Sequence, residues 1–213
     1  MFFAILRPLL TLWGWLFYPI RVHGKERLVQ DGNTVVICNH LRKMDIFYVG
    51  YLFKGKTFYL AKKEWFDNKF LGFIIRKLGG IPVDRDNTDL QSVRNSLKVL
   101  KDNKRLCIFP EGTRNKNGTD IMPLHGGAAM LAFKTGAKIV PLNINKPAKF
   151  MHKNDIYVGE CFDFSEYKGE RLDAELNHKL TEIMYEKLCD AKKAQEKLLQ
   201  EKQEKKLAKK KKK

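Results

Sequence analysis

Short apolar segments rich in β-branched residues recur along the chain and alternate with longer amphipathic segments. The strand-like segments are TVVIC (34–38), TFYLA (57–61), GIPVD (80–84), RLCIF (105–109), KIVPLNI (138–144) and DIYVGE (155–160). Strands that alternate with helices are typical of an α/β fold, in which a largely parallel central sheet is flanked by helices. In such a sheet the ligand site lies at the carboxyl ends of the strands. We therefore expect the functional residues directly after these segments.

Helical periodicity is clearest in four segments: DIFYVGYLF (45–53), KEWFDNKFLGFIIRKLG (63–79), TDLQSVRNSLKVLKDN (88–103) and GGAAMLAFKTG (126–136). In the third segment, Thr88 and Gln91 have the spacing of a capping box, which predicts Thr88 as the cap. Another helical pattern begins near Leu172 and loses its apolar residues near Leu199. The last dozen or so residues are highly charged, so we expect them to have no fixed structure.

The N-terminal stretch, residues 1–22, is the most apolar part of the chain. Its uncharged run extends only from Pro8 to Ile20, which is shorter than the roughly 20 residues that a spanning helix needs. Trp13, Trp15 and Tyr18 have the amphipathic rings that settle at headgroup depth. The stretch therefore predicts a monotopic anchor on the cytoplasmic face of the membrane. The alternative is an N-terminal helix packed on the core.

Charge divides the rest of the chain into two parts. The formal net charge is +17, which favours anionic partners such as membrane lipid, phosphorylated metabolites or nucleic acid. Residues 191–213 contain eleven lysines and three glutamates, so nearly half of the excess lies in this segment. We expect an α/β domain over residues 23–190 and a Lys-rich tail over 191–213 that is partly helical and then disordered. The four cysteines are widely spaced, which predicts neither a disulfide framework nor a metal site.

The segment NHLRKMD (39–45) follows the strand TVVIC directly. In a continuous helix His40 and Asp45 would point in different directions. A turn after His40, with Asp45 beginning the next helix, would instead bring the carboxylate to one ring nitrogen and leave the other as a general base. The chain has no G-x-S-x-G serine to act as a nucleophile, so we expect the substrate to supply the hydroxyl. The alternative is a structural histidine.

Two further polar clusters follow strands. FPEGTRNKNGTD (109–120) contains Glu111 and Arg114, and GGIPVDRD (79–86) contains Arg85. Arginine binds phosphate through two parallel hydrogen bonds, so these two arginines are candidates for holding one anion. The alternatives are a solvated surface turn and an exposed ion pair.

NHLRKMD, VDRD, FPEGTR and IVPL resemble, in order and spacing, the blocks of the glycerolipid acyltransferase family, with the H-x-x-x-x-D spacing in the first. The bacterial 1-acylglycerol-3-phosphate acyltransferases are the most similar branch. The resemblance implies an α/β domain with an N-terminal membrane-binding helical element. It also implies transfer of an acyl group from acyl-CoA or acyl-carrier protein to lysophosphatidate, without a cofactor or metal. Another lysophospholipid or glycerol 3-phosphate remains an alternative acceptor.

The same resemblance assigns roles to individual residues. It makes His40 the base and Asp45 the residue that orients it. The acceptor site around the phosphate is implied to involve Arg85, Glu111, Gly112, Thr113 and Arg114, and the similar segment LAKKEWF adds Lys62 or Lys63. Asn39 and Pro141 have implied structural or acyl-pocket roles. One departure is LHGG at 124–127, where relatives usually have a Lys-Gly pair.

Two rival interpretations come from other classes of protein. GYLFKGKT (50–57) satisfies the P-loop pattern of a nucleotide hydrolase, but a strand rather than a helix is predicted after Thr57. The second rival interpretation is a non-enzymatic protein that binds membrane or nucleic acid through its basic tail. Polybasic ends commonly bind anionic lipid, which agrees with the predicted anchor, so we expect no nucleic-acid partner.

Overall fold

The computed structural model describes residues 2–84, 87, 89–116 and 120–211. The described strands form one seven-stranded sheet: β1 (Ile20–His23), β2 (Thr34–Cys38), β3 (Thr57–Lys62), β4 (Gly80–Val83), β5 (Arg105–Ile108), β6 (Lys138–Ile144) and β7 (Asn154–Val158). Their order is β1-β7-β6-β2-β5-β3-β4, and every neighbouring pair is parallel except β6 with β7. The predicted α/β fold with a largely parallel sheet is confirmed.

Six α-helices are present in the described ranges: α1 (Phe2–Phe17), α2 (Asp45–Leu52), α3 (Lys69–Leu78), α4 (Leu90–Lys101), α5 (Gly127–Thr135) and α6 (Ala174–Lys211). Single 3₁₀ turns cover Lys25–Arg27, Lys63–Phe66 and Ser165–Tyr167. The sequence predicted one helix over 63–79, whereas the structure divides it. Asn68 caps α3 by accepting a hydrogen bond from the amide of Leu71, so the α-helix begins only at Lys69.

Hydrophobic cores cover both faces of the sheet. On one face Val35, Ile37 and Leu106 pack against α4, α5 and α6. On the other face Val36 and Cys38 pack with α2. Alternate residues of one strand point to opposite faces, so a strand buried on both sides is apolar throughout. This explains why every residue of β2 is buried.

Strand β1 was not predicted, and it moves the boundary of the N-terminal segment. Ile20 to His23 pair with Asn154 to Tyr157 of β7, so residues 20–22 belong to the sheet. Strand β1 therefore spans the predicted boundary after residue 22. The preceding apolar run hid this strand, because Ile20 and Val22 extend its hydrophobic character.

Helix α1 packs against α2 and α3 on one side. The Trp13 ring lies 6.2 Å from the Phe47 ring, centroid to centroid, and Gly14 is buried. On the other side several large side chains are exposed, and Trp15 retains 68% of its accessible surface. Of the helices in the described ranges, none combines the length and the apolar character needed to cross a membrane.

Helix α6 differs from the prediction for the C-terminal tail. It continues to Lys211, so it crosses the predicted boundary at residue 190 and includes most of the residues that we expected to lack fixed structure. Ala191 and Gln195 are buried, and Gln195 donates to the carbonyl of Asp155 in β7 at 2.9 Å. Beyond these contacts the segment consists mainly of strong helix formers, so its charge prevents burial without preventing helicity.

The cap of α4 also differs from the prediction. The carboxylate of Asp89, rather than Thr88, caps the helix by accepting from the amide of Ser92 at 2.9 Å. It also accepts from the amide of Asp84 at 2.9 Å, which ties the helix to the end of β4. Thr88 lies outside the described residues.

Replacing Asp89 by Ala should lower the free energy of unfolding by about 0.5–2 kcal/mol, because the amide of Ser92 loses its partner. Urea denaturation measures the change, with Thr88→Ala as the matched control. A larger loss for the control than for Asp89→Ala would restore the sequence-based capping box.

Candidate active site

Asn39 fixes the start of the loop that follows β2. Its side-chain oxygen accepts from the amide of Ile144 at 2.7 Å, and its side-chain nitrogen donates to the carbonyl of Ile144 at 3.0 Å. Ile144 ends β6, the strand beside β2. The side-chain amide of Asn39 therefore satisfies the backbone N–H and C=O of Ile144 and holds the loop against the sheet.

Asp45 closes the same loop from its other end. Its Oδ2 accepts from His40 Nδ1 at 2.9 Å and from the amides of Leu41 and Arg42 at 2.6 and 2.7 Å. Asp45 is the first residue of α2 and is fully buried. The turn between His40 and α2 thus brings the imidazole and the carboxylate together.

The hydrogen bond to Asp45 determines which nitrogen of His40 carries the proton. An ionised carboxylate only accepts hydrogen bonds, so Nδ1 is the donor and Nε2 keeps its lone pair. Among the described residues, none is bonded to Nε2. The ring stacks on Phe109 with centroids 4.1 Å apart, and its side chain retains 11% exposure. An oriented imidazole with one available nitrogen can act as a general base.

Glu111 joins the FPEGTR loop to the histidine loop. Its Oε1 accepts from the backbone amide of His40 at 2.7 Å, and its Oε2 accepts from the amide of Met122 at 3.2 Å. The residue is almost completely buried, and this burial raises the pKa of its carboxyl group, although the two backbone hydrogen bonds oppose the shift. Both oxygens are engaged within the protein, so Glu111 shapes the site by positioning its loops.

The residues after Glu111 extend outward. Thr113 and Arg114 are exposed, while Asn115 is buried and its amide donates to the carbonyl of His40 at 2.7 Å. Gly112 has a φ of 68°. A Cβ at this position would lie 2.6 Å from the ring of His125, so both the backbone conformation and the neighbouring ring require glycine. Arg114 therefore lies next to Asn115, the residue that bonds to the histidine loop, and its side chain is exposed.

Lys62, the last residue of β3, and Lys63, which follows it, lie at the same edge of the sheet, and both are paired. Lys62 Nζ lies 3.0 Å from Glu64 and Lys63 Nζ lies 2.5 Å from Asp84. Both pairs are partly exposed, and surface ion pairs of this kind contribute about 0–1 kcal/mol. An anionic group could therefore exchange with either carboxylate at little cost. Arg85 lies outside the described residues.

Comparison with known proteins identifies the family to which this site belongs. A family model described as Acyltransferase matches residues 19–145, which include β2, β5, both loops and all of β6. The chain belongs to the acyltransferase family. Among curated proteins, the 1-acyl-sn-glycerol-3-phosphate acyltransferase of Bacillus subtilis (strain 168) is 33% identical over 144 residues, which cover 67% of this chain and 69% of that protein.

Two further relatives resemble this acyltransferase. The protein of the same name from Streptococcus pneumoniae is 30% identical over 177 residues, which cover 79% of this chain and 65% of that protein. Among solved structures, the 1-acyl-sn-glycerophosphate (LPA) acyltransferase PlsC of Thermotoga maritima superposes with a TM-score of 0.66 at 25% identity. That match covers 90% of this chain and 78% of the other.

Apolar cavities border the acyltransferase site from both faces of the sheet. A groove of about 250 Å³ lies between α1, α2, α3 and β3, and Lys43 and Met44 of the histidine loop form part of its wall. A second cavity of about 300 Å³ lies between the sheet, α4 and α5, and Phe109 and Gly112 are among its lining residues. Each cavity thus reaches one of the two loops that meet at His40.

Pro141 lies away from these cavities, in the middle of β6. Its carbonyl accepts from the amide of Gly159 at 2.8 Å, and a Cβ built on Gly159 would meet both its ring and Ala191 of α6. The ring therefore lies near Ala191 of α6.

The P-loop pattern has no phosphate-cradling geometry. Gly50 and Leu52 lie within α2, and Thr57 begins β3 rather than a helix. Lys56 Nζ donates to the carbonyl of Arg76 at 3.3 Å. The segment therefore connects α2 to β3.

Three contributors to the site were not singled out from the sequence. They are Phe109, which stacks on the His40 ring, Asn115, which bonds to the histidine loop, and His125, which packs on Gly112. Phe109 could have been found, because it is the last apolar residue before PEGTR and must lie at the strand's end. The contacts of Asn115 and His125 depend on loop geometry that residue spacing does not reveal.

The raised pKa of Glu111 leads to a pH-dependent prediction. The folded protein retains this proton to a higher pH than the unfolded chain, so the contribution of Glu111 to stability is greatest below its ordinary pKa of 4.5. The contribution is lost as the pH rises through the folded pKa. The free energy of unfolding of the wild type, measured by urea denaturation relative to Glu111→Gln, should therefore fall as the pH rises from 4.5 through the folded pKa of Glu111.

The exposed Glu166 provides a matched control, because Glu166→Gln removes a carboxylate from the surface. Its difference from the wild type should lack the decline seen with Glu111→Gln. A difference between wild type and Glu111→Gln that increases with pH would contradict the assignment of burial as the dominant cause.

Proposed function

We propose that this acyltransferase moves a fatty acyl group from an acyl thioester to the sn-2 hydroxyl of 1-acylglycerol 3-phosphate, giving phosphatidate. The donor is acyl-CoA or acyl-carrier protein. The observation that carries the proposal is the contact of His40 Nδ1 with the buried Asp45 carboxylate. The loop that contains this pair has no serine or cysteine that could act as a nucleophile. The relatives named for this reaction support the choice of acceptor.

The reaction begins when His40 Nε2 removes the proton of the acceptor hydroxyl. The hydroxyl oxygen attacks the thioester carbonyl and forms a tetrahedral intermediate. The carbon–sulfur bond then breaks, and the proton on Nε2 passes to the departing thiolate. Asp45 stabilises the imidazolium that exists between these two transfers and keeps the ring in one orientation. No covalent enzyme intermediate is required.

Proton transfer by one positioned base typically contributes about 10² to 10⁴-fold, so holding the two substrates in line must supply much of the remaining acceleration. We assign the acceptor phosphate to Arg114 and Arg85, with Gly112 and Thr113 in the same loop and Lys62 or Lys63 beside it. Glu111 and Asn39 position the two loops, and Pro141 supports β6. Metal and cofactor have no place in this scheme.

Both substrates have acyl chains, and the apolar cavities beside the site provide space for them. The groove between α1, α2 and α3 is bounded by the histidine loop, and the cavity above α4 and α5 is bounded by the FPEGTR loop. We assign one chain to each. The exposed apolar side of α1 would hold the enzyme on the cytoplasmic face of the membrane, where both substrates are available.

Replacing His40 by Ala should lower the rate of labelled-acyl transfer to lysophosphatidate by about 10² to 10⁴-fold, because the base is removed. Asp45→Asn should also lower the rate, because the tautomer is no longer fixed. The assay should offer several lysolipids and glycerol 3-phosphate with each donor type. Thermal unfolding checks that the variants fold. A folded His40→Ala enzyme with a substantial residual rate would refute the role of the base.

Arg114→Ala should chiefly raise the KM for lysophosphatidate, because a cation that binds the acceptor in the ground and transition states alike is lost. Lys116→Ala is the matched control, since it removes one exposed positive charge from the same loop. The control should leave KM nearly unchanged. A loss confined to kcat in Arg114→Ala would instead place the guanidinium at the reacting carbonyl.

A further inference from the structure

The outward face of α3 has an unusual composition for a surface helix. Phe70 and Phe73 retain 75% and 51% of their accessible surface, and Lys77 lies one turn beyond them. Gly72 and Ile75 face the protein, where Gly72 packs against the backbone of Phe66 and Ile75 lines the groove. In a helix exposed only to water, the outward positions are normally polar. The phenylalanines therefore need an apolar environment.

Helix α1 extends this apolar surface. It contacts α3, and both helices lie on the face of the sheet that carries α2. Its exposed large side chains include Leu9, Leu12, Trp15 and Leu16. The groove runs between the two helices, and the half-exposed Trp65 stands at its border. The apolar side chains of α1 and α3 thus flank the opening of one groove.

Basic side chains surround the same surface. Lys69, Arg76 and Lys77 are exposed on α3, and Lys77 Nζ lies 5.3 Å from the centroid of the Phe73 ring. Lysine and arginine at a membrane surface keep their charge at headgroup depth while their stems cover apolar area. Anionic headgroups complement this arrangement, whereas a second copy of a +17 chain would bring like charges together.

We propose that α3 is a second membrane-contacting element, which inserts Phe70 and Phe73 into an anionic phospholipid bilayer beside α1. The groove between the two helices then opens into the acyl-chain layer, so a chain can enter it without crossing water. The proposal that α3 binds lipid depends only on the exposed apolar and basic side chains described above. The delivery of a substrate chain rests on the proposed acyltransferase function.

The test compares the double variant Phe70→Ser/Phe73→Ser with the wild type in sedimentation with phosphatidylglycerol–phosphatidylcholine vesicles. Loss of two inserted aromatic side chains should lower the partition coefficient at least about tenfold. Leu90→Ser is the matched control, because Leu90 is 62% exposed on α4, on the opposite face of the sheet. The control should bind vesicles as the wild type does. Equal binding by the double variant and the wild type would overturn the proposal.

A second measurement locates the insertion directly. In a Trp13→Phe/Trp15→Phe background the only remaining tryptophan is Trp65. Lipids brominated in their acyl chains should quench its fluorescence, and the two serine substitutions should remove the quenching. Absence of quenching in the parent background would also overturn the proposal, as would analytical ultracentrifugation showing that the serines only convert a dimer to a monomer.

Activity separates this inference from the proposed function. The double variant should lose acyl transfer to lysophosphatidate in vesicles and keep it with detergent-dispersed substrate. An enzyme inactive on every lysolipid, with vesicle binding lost in the double variant, would refute the proposed function and leave the membrane contact standing. Equal loss of activity in both assays would overturn the role of α3 in delivery.

Discussion

The Asp45 carboxylate is the interaction on which the active-site architecture depends. One oxygen accepts hydrogen bonds from His40 Nδ1 and from the amides of Leu41 and Arg42. The same three contacts fold the loop, begin α2 and fix the tautomer of the base. The other oxygen of Asp45 is buried without a hydrogen-bond partner in the described part of the chain. Such a group costs free energy, and it is tolerated where the charge beside the base has a use.

Glu111 supplies the complementary constraint from the neighbouring strand. β2 and β5 are adjacent, so the loops after them emerge about 4.8 Å apart, and the buried carboxylate bridges them through the amide of His40. Asn115 returns a second hydrogen bond to the carbonyl of His40. The backbone of the base is therefore held on both its donor and its acceptor side. A rigid backbone here would set the distance between the imidazole and the acceptor phosphate that we propose to bind near Arg114.

Residue spacing predicted those parts of the fold that depend on local chemistry. The strands follow from apolar, β-branched segments, and the turn before Asp45 follows from the need to bring two residues five apart together. The missed features depend on distant partners. β1 is a strand only because β7 is available to pair with it, and the hydrogen-bond partners of Asn39 and Glu111 include Ile144 and Met122, which lie in other segments. Helix α6 continues past residue 190 because Ala191 and Gln195 find burial against the sheet.

The carboxyl edge of the sheet and the groove beside α1 and α3 suit the two parts of an amphipathic substrate. Polar groups collect at the carboxyl edge of the strands, while the groove beside α1 and α3 is apolar, and its lining includes Met44, one residue before Asp45. A lipid lying along this path would have its hydroxyl beside His40 and its chain directed toward the exposed aromatic side chains. Because the headgroup layer and the hydrocarbon layer of a bilayer are stacked in the same order, the proposed docking through α1 and α3 would place His40 at the depth where the hydroxyl of a lipid acceptor lies. Membrane binding of this kind would contribute to catalysis by limiting the acceptor to one orientation, which would reduce the entropy that the active site itself must remove.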